Sequence, residues 1–580
     1  MRSEAGRLPG VIDPRIYRAG FLPALVAVVV VMFSVQALPE PLQPPVSAAE
    51  FEAGPAAHTA RQIIEAAPSR TPGSEGDGAA ADLVTQSFSE IEGGEVSEQP
   101  FEGSFDGDDV SLRNVILILR GESERQVVVL ASRDSAEGVG LASSAAATGA
   151  LVEIAESFAG ARHLKTLVFV STTGGSDGAQ GAREFAESYP DLDLIDAAIV
   201  IEQPGAREPQ PPHLLSWSSN DESSSIQLVR TAEQAVTVQS EEAPDGGGPL
   251  GGLLRLALPS GLGEQSVLIA EGVDAVGISS AGERPLPASK DGPDSLSPTT
   301  LGDYGRAAFS VLVTIDAATD PLEHGPPAYI TLSGNLIPGW SLALLAIALV
   351  LPAALAAVDA MARAWRRNEG RPRDLVWVLS RSLPFGAALL LAYLLAFTGL
   401  APSPSFPFDP GRFEVGWRAA IVVVCLTVAL VLMWRAIGPL RVPPGAGREG
   451  LAPATGVVLS GCVAAVWLIN PYLALFLVPA AHAWLAATGP GGPVRRAGVI
   501  AAVVAALVLP AILAADLAAR LDVGFTIPWQ LLLMVTGGQI SFAAAALLCV
   551  IAGSLIGLVA AAYAPGDAPG APRIAARGRP

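Results

Sequence analysis

Two carboxylates, Asp134 and Glu202, stand just after short runs rich in Val and Ile, where an α/β sheet presents its ligand crevice. A carboxylate there can serve as a base, bind a metal, or accept backbone N–H bonds at a strand end; the last is the expectation here. The histidines considered in this region are His58, in a helical stretch, His163, before a strand at the end away from the crevice, and His213, after Gln210-Pro211-Pro212. A serine triad would need one of them beside a positioned serine and a carboxylate. No nucleophile elbow is expected, and each histidine reads as a surface or capping residue. The three cysteines, Cys425, Cys462 and Cys549, fall in apolar runs with no Cys-x-x-Cys pair or Cys/His cluster, which excludes thiolate zinc sites.

The elements that would position these groups follow from periodicity. Between residues 50 and 320, the runs Leu112 to Leu119, Gln126 to Ala131, Thr166 to Ser171 and Ala197 to Ile201 read as buried strands. Ser143 to Phe158, Ala182 to Glu187, Ser224 to Val236 and Thr299 to Ile315 carry helical spacing. Such alternation predicts an α/β fold, a mostly parallel sheet flanked by helices.

The rest of the chain is of another kind. Ala19 to Leu38 is uncharged and follows Arg2, Arg7, Arg15 and Arg18, which reads as a transmembrane anchor with residues 1–18 in the cytoplasm. A cleaved leader ending near Val46-Ser47-Ala48-Ala49 is the alternative. Apolar runs at 336–358, 378–401, 418–437, 452–469, 472–488, 497–515 and 539–563 read as seven further spans, an all-α bundle of about eight spans in total. Arg363, Arg366, Arg367, Arg371 and Arg373 crowd one linker; Arg435, Arg441 and Arg448, then Arg495 and Arg496, mark two more. The tail, 564–580, is basic too, while the turns at Asp409, Asn470-Pro471 and Asp516 to Asp522 carry few bases. The positive-inside rule then puts both termini in the cytoplasm of a multi-pass cell-membrane protein, with residues 40–335 outside. The apolar stretch 527–538 is too short to span and reads as re-entrant or interfacial.

The run Arg113-Asn114-Val115-Ile116, followed by Val127 to Ser135, resembles the M28 zinc aminopeptidases. That family has a strand ending in His-x-Asp, a Gly-Ala-Asp-Asp-Asn-Ala-Ser-Gly-like helix start, a second strand ending in Gly-Glu-Glu, and a Gly-Ser-x-x-Phe helix. Here the frame is kept in Gly140 to Glu153, Phe169 to Gly174 and Gly181-Ala182-Arg183-Glu184-Phe185. The resemblance implies an M28 peptidase-like domain over 40–325 whose zinc chemistry is lost. Ser132 stands for the first metal-binding histidine, leaving Asp134 with no histidine to orient. Ser143 stands for the bridging aspartate, and Gly175 and Ser176 for the general base and its neighbouring ligand. Glu202 alone matches a later carboxylate ligand, and Gly282, Glu283 and Arg284 occupy the place of the final histidine. Ser and Gly cannot replace imidazole and carboxylate around zinc, so neither cofactor nor catalysis is expected. The order of one span, this domain, then the membrane bundle 336–563 is similar to the GPI-attachment subunit of the GPI transamidase.

Charge narrows the partners. Residues 40–335 hold 45 of the 56 acids and 15 of the 36 bases, a surface that repels nucleic acid and anionic headgroups. Within the spans His482 is the ionisable exception, expected as a hydrogen-bonded packing residue before a proton or ligand site. The leading expectation is a pseudoenzyme that binds a peptide, protein or lipid-linked ligand, within a membrane-protein complex embedded in the lipid bilayer. The alternatives are an M28-type zinc exopeptidase built on Asp134 and Glu202, and a transporter or lipid-handling bundle with a regulatory outer domain.

Overall fold

The computed structural model describes residues 12–563 except 46–49, 137, 245–246, 368–369, 371, 438–447 and 490–491. Arg2, Arg7, Arg371, Arg441, the Val46 to Ala49 segment and the tail lie outside the described residues.

Among the described residues, seven strands form the main sheet: β1 (Gly94–Phe105), β2 (Asp108–Leu119), β3 (Ser123–Ser132), β4 (Lys165–Thr172), β5 (Ile195–Ile201), β6 (His213–Leu215) and β7 (Ala275–Ser279). Their order is β1-β2-β4-β3-β5-β7-β6. The centre, β4-β3-β5-β7, is parallel, while the β1-β2, β2-β4 and β6-β7 pairs are antiparallel. The continuous apolar runs are explained by burial on both faces. Val127, Val129 and Ala131 of β3 pack under the helices Ala53–Ala66, Ala146–Ser157 and Pro298–Ala317. Val128 and Leu130 point the other way, against Gln180–Ser188 and Glu264–Ala270. The expected helix from Ser143 begins instead as a π-helical turn, Leu141–Ala145, after Gly140 at φ 66°. β1 escaped the sequence reading because its alternation of Gly, Ser and Glu leaves one face open to solvent.

Among the described residues, seven helices are long and apolar enough to cross a membrane: Pro14–Ser34, Gly339–Arg366, Trp417–Ile437, Gly450–Ile469, Pro471–Thr488, Pro493–Arg520 and Phe542–Tyr563. The expected span 378–401 is broken, with Pro372–Ser380 and Leu383–Phe397 meeting at 44°. Helix Phe542–Tyr563 receives the break at Gly553, where a Cβ would stand 2.5 Å from Ser382 backbone. Residues 527–538 hold only the short helix Ile527–Thr536.

The two parts are tied together at one end of the bundle. Gln36–Ala37, leaving the first long helix, pairs antiparallel with Asn335–Pro338, which leads into the second. Tyr329–Leu332 completes that three-stranded sheet. Asn470 Nδ2 donates to Leu256 O at 2.9 Å, Arg520 Nη1 to Ser260 Oγ at 2.8 Å, and Gln539 Nε2 to Ser219 O at 2.6 Å. Arg284 lies 3.5 Å from Asp409. The three base-poor turns, around Asp409, Asn470 and Asp516 to Asp522, therefore all face the α/β domain.

Candidate functional site

The sheet opens a cleft where β3, β4 and β5 end, and the residues singled out in the sequence meet there. Ser132, Asp134, Ser143, Gly175, Ser176 and Glu202 all line it, joined by Glu264, Glu283 and Asp409. Its free volume is about 110 Å³, less than the 300 Å³ or more of a typical ligand pocket. Pro407, Phe408 and Asp409 of the membrane bundle cover it.

Asp134 leaves β3 and is nearly buried, at 4% exposed. Its Oδ1 accepts from Ser132 Oγ at 2.5 Å and Gly175 N at 2.9 Å. Its Oδ2 accepts from Ser176 N at 3.3 Å and Ser176 Oγ at 2.7 Å. The carboxylate thus takes four donors, about as many as its lone pairs accommodate. It fastens the loop after β4 to the end of β3. Deeper still, the buried Arg133 pairs with Asp77 at 2.9 Å and donates to Ser171 O, holding the same two strands.

Ser143 lies in the π-helical turn and donates through Oγ to Asp291 Oδ2, while Asp291 Oδ1 accepts from Ala142 N at 2.8 Å. Burial raises the Asp291 carboxyl above the usual range, against the pull of the Ser143 hydrogen bond.

Glu202 and Glu264 form the other half. Glu264 N, at the start of helix Glu264–Ala270, donates to Glu202 Oε1 at 3.3 Å. Thr172 Oγ1, at the end of β4, donates to Glu264 Oε1 at 2.6 Å. Burial raises the Glu202 carboxyl to about 7, with the nearby Asp134 adding to the shift. Glu264 is raised well above the ordinary value by burial and then by Glu202. Two acids side by side in a buried cleft cannot both ionise readily.

Gly174-Gly175-Ser176-Asp177-Gly178 does have the Gly-x-Ser-x-Gly spacing, contrary to the expectation that no elbow occurs. Ser176 Oγ donates to Asp134, however, and no histidine lines the cleft. His58 is exposed on a helix, His163 Nδ1 meets Lys165 O, and His213 Nδ1 meets Pro211 O. A fourth histidine of this region, His324, lies 3.2 Å from Asp274. His482 packs against the first long helix, its ring 6.2 Å from that of Tyr17, with Nδ1 3.0 Å from Val478 O. Glu283 pairs with Arg255, and Arg284 reaches Asp409. Glu264 and Asp291 escaped the sequence reading. The only hint of Glu264 was Gly261-Leu262-Gly263 before an apolar helix, and Asp291 sits in a loop without periodicity.

The donor set does not suit zinc. Asp134 and Asp291 already accept several short hydrogen bonds each, and imidazole and thiolate are missing from the lining. Among the described residues no group of three or more His, Cys, Asp or Glu is placed to hold a metal ion.

The model of Peptidase family M28 matches residues 114–311. The α/β domain is M28 peptidase-like. Among solved structures, the chain is similar to a glutaminyl cyclase from an Acidobacteriales bacterium at 17% identity, covering 47% of this chain and 99% of that one with a TM-score of 0.36. It is similar to a zinc aminopeptidase from Bacillus subtilis at 11% identity, over 45% of this chain and 95% of that one, with a TM-score of 0.36. An aminopeptidase from Aneurinibacillus sp. strain AM-1 gives 11% identity, 48% and 97% coverage, and a TM-score of 0.39. No curated protein matches the chain. The M28-like domain therefore occupies the middle of a chain whose apolar helices lie on either side.

Proposed function

We propose that this protein is a non-catalytic, M28-like membrane protein whose outer domain binds a partner or ligand in the capped cleft. The observation that carries this reading is the bonding of Asp134 to Gly175 and Ser176. At the two places where the family resemblance implies a base and a metal ligand, the chain has a glycine and a serine that satisfy a structural carboxylate. A water in this cleft has neither a metal to acidify it nor a free imidazole to take its proton. The seven to eight apolar helices support a multi-pass membrane protein. The domain sits outside and both termini inside, a reading supported by the base-poor turns sharing its face. The test is hydrolysis of aminoacyl-p-nitroanilides by the purified full chain, with and without added zinc. No release above the no-enzyme blank is expected; chelator-sensitive release would overturn the reading.

A further inference from the structure

The ionisable residues of the expected spans include, besides His482, one at the break in the span 378–401. Arg381 sits between Pro372–Ser380 and Leu383–Phe397 and is 4% exposed. Its Nε donates to Ser380 Oγ at 3.3 Å, while its buried Nη1 has no hydrogen-bond partner. The guanidinium lies 5.0 Å from the centre of the Trp377 ring, whose Nε1 is also buried and without an acceptor. Both side chains press on helix Phe542–Tyr563: a Cβ on Gly557 would stand 3.4 Å from Arg381 Cγ and 3.5 Å from Trp377 Cζ3. Gly557 is roughly 9 Å inside the Tyr563 end of that helix by its rise per residue, at the end of the bundle away from the α/β domain. Two more arginines close on the same helix end. Arg495, buried near the start of Pro493–Arg520, donates through Nη2 to Ala562 O at 3.3 Å and leaves Nε unpartnered. Arg496 stacks 5.0 Å from the centre of the Tyr563 ring. Among the described residues none of the three has a carboxylate within ion-pair distance; Asp359 pairs with Arg363 and Asp516 with Arg520 instead. An unpaired guanidinium within a span is costly, and buried donors are rarely left without an acceptor.

We propose that this end of the bundle binds the headgroup of an anionic phospholipid, its phosphate oxygens accepting from Arg381 Nη1 and Trp377 Nε1. A phosphodiester offers acceptors and no donor, the complement of these two groups, and its hydrogen bonds to guanidinium are charge-assisted. Arg495 and Arg496 supply the surrounding positive potential, as basic pockets between spans do where they hold anionic headgroups. The phosphate is within reach once Arg381 turns toward the interface on its flexible stem. The inference rests on the reading of the chain as a multi-pass membrane protein and not on the chemistry of the cleft. Recovery of the chain from cells without detergent would sink that reading and the inference with it; a reconstituted chain indifferent to lipid charge would sink the inference alone.

The experiment is thermal unfolding of the full chain in phosphatidylcholine nanodiscs containing increasing fractions of phosphatidylglycerol, at constant ionic strength. The melting temperature is expected to rise with phosphatidylglycerol and to saturate. Arg381→Gln should raise the half-saturating fraction about tenfold or more. Trp377→Phe keeps the ring and loses the N–H, and should raise it about threefold. Arg366→Gln, at an exposed arginine of the same end, should shift it less than either. No saturable rise, equal shifts in Arg366→Gln and Arg381→Gln, or a well-folded Arg381→Gln that responds like the parent would each overturn the proposal. So would inorganic phosphate stabilising the chain in phosphatidylcholine alone as much as phosphatidylglycerol does, since the ligand would then be a soluble anion. Should Arg381→Gln not fold, Trp377→Phe and the lipid titration of the unaltered chain still decide.

Discussion

Asp177, in the loop after β4, forms an antiparallel bridge with Phe408, in the loop joining two helices of the membrane bundle. Around it Gly178 N donates to Pro407 O at 2.8 Å and Arg183 Nη2 to Phe406 O at 3.2 Å. Arg412, 6% exposed in its side chain, pairs with Asp106 at 2.5 Å and Asp177 at 3.5 Å, and lies 4.3 Å from the centre of the Phe105 ring. The loop that would carry the base in a working M28 enzyme is thus bonded to the membrane part, and access to the cleft depends on that contact.

Replacing Arg412 by Ala removes two ion pairs, a hydrogen bond to Ser176 O and two cation–π contacts, to Phe105 and Phe413, at a cost of about 2 kcal/mol to the contact. The cover should loosen while the sheet stays intact. In a background freed of its three cysteines, a Ser176→Cys reporter should react faster with maleimide when Arg412→Ala is added. An unchanged labelling rate would show that the cover is not held this way.

Asp134→Ala leaves Ser132 Oγ, Gly175 N, Ser176 N and Ser176 Oγ without that acceptor in a partly buried place, costing about 3 kcal/mol. Melting of the full chain should fall by several degrees, and hydrogen exchange should quicken in residues 173–178 more than in β7. A variant as stable as the parent would remove the structural role assigned to Asp134.

The buried acids set a direction for pH. Glu202 is raised from 4.5 to about 7, so between those values the folded state holds a proton that the unfolded state releases. Its contribution is fully present below 4.5, declines as pH rises through the window, and levels off above 7. Glu264, raised further, acts in the same sense. Melting temperatures measured from pH 5 to pH 8 should fall less steeply for Glu202→Gln than for the parent. Parallel profiles would place the titration elsewhere.

Sidedness is testable by single cysteines in the same cysteine-free background. Glu414→Cys, in the turn that faces the M28-like domain, should react in intact cells with a membrane-impermeant maleimide. Arg366→Cys, at the far end of its helix, should react only after permeabilisation. The reverse pattern would invert the topology.

Much of the fold could be read from the sequence where one physical signal dominated. Strands β3, β4 and β5 announce themselves because burial on both faces demands unbroken Val, Ile and Leu. The long apolar helices do so because a bilayer tolerates few charges. β1 was invisible since its exposed face carries Glu and Ser, and the break at Ser382 since apolar composition does not report a bend. At the site, the residues found by motif position, Ser132 to Glu202, were brought together because the frame fixes where strands end. Glu264, Asp291 and the Phe408 cover came from loops and from a distant part of the chain, whose approach depends on tertiary packing. Asp177 could be seen in the sequence, but its partner across more than two hundred residues could not.

Zinc content of the purified full chain, measured after exposure to excess zinc and exhaustive dialysis, tests the central claim most directly. With the lone pairs of Asp134 and Asp291 engaged and no imidazole in the cleft, substoichiometric zinc is expected, no different in Asp134→Ala or Glu202→Ala. One or more tightly held zinc ions per chain, lost in those two variants, would contradict the account.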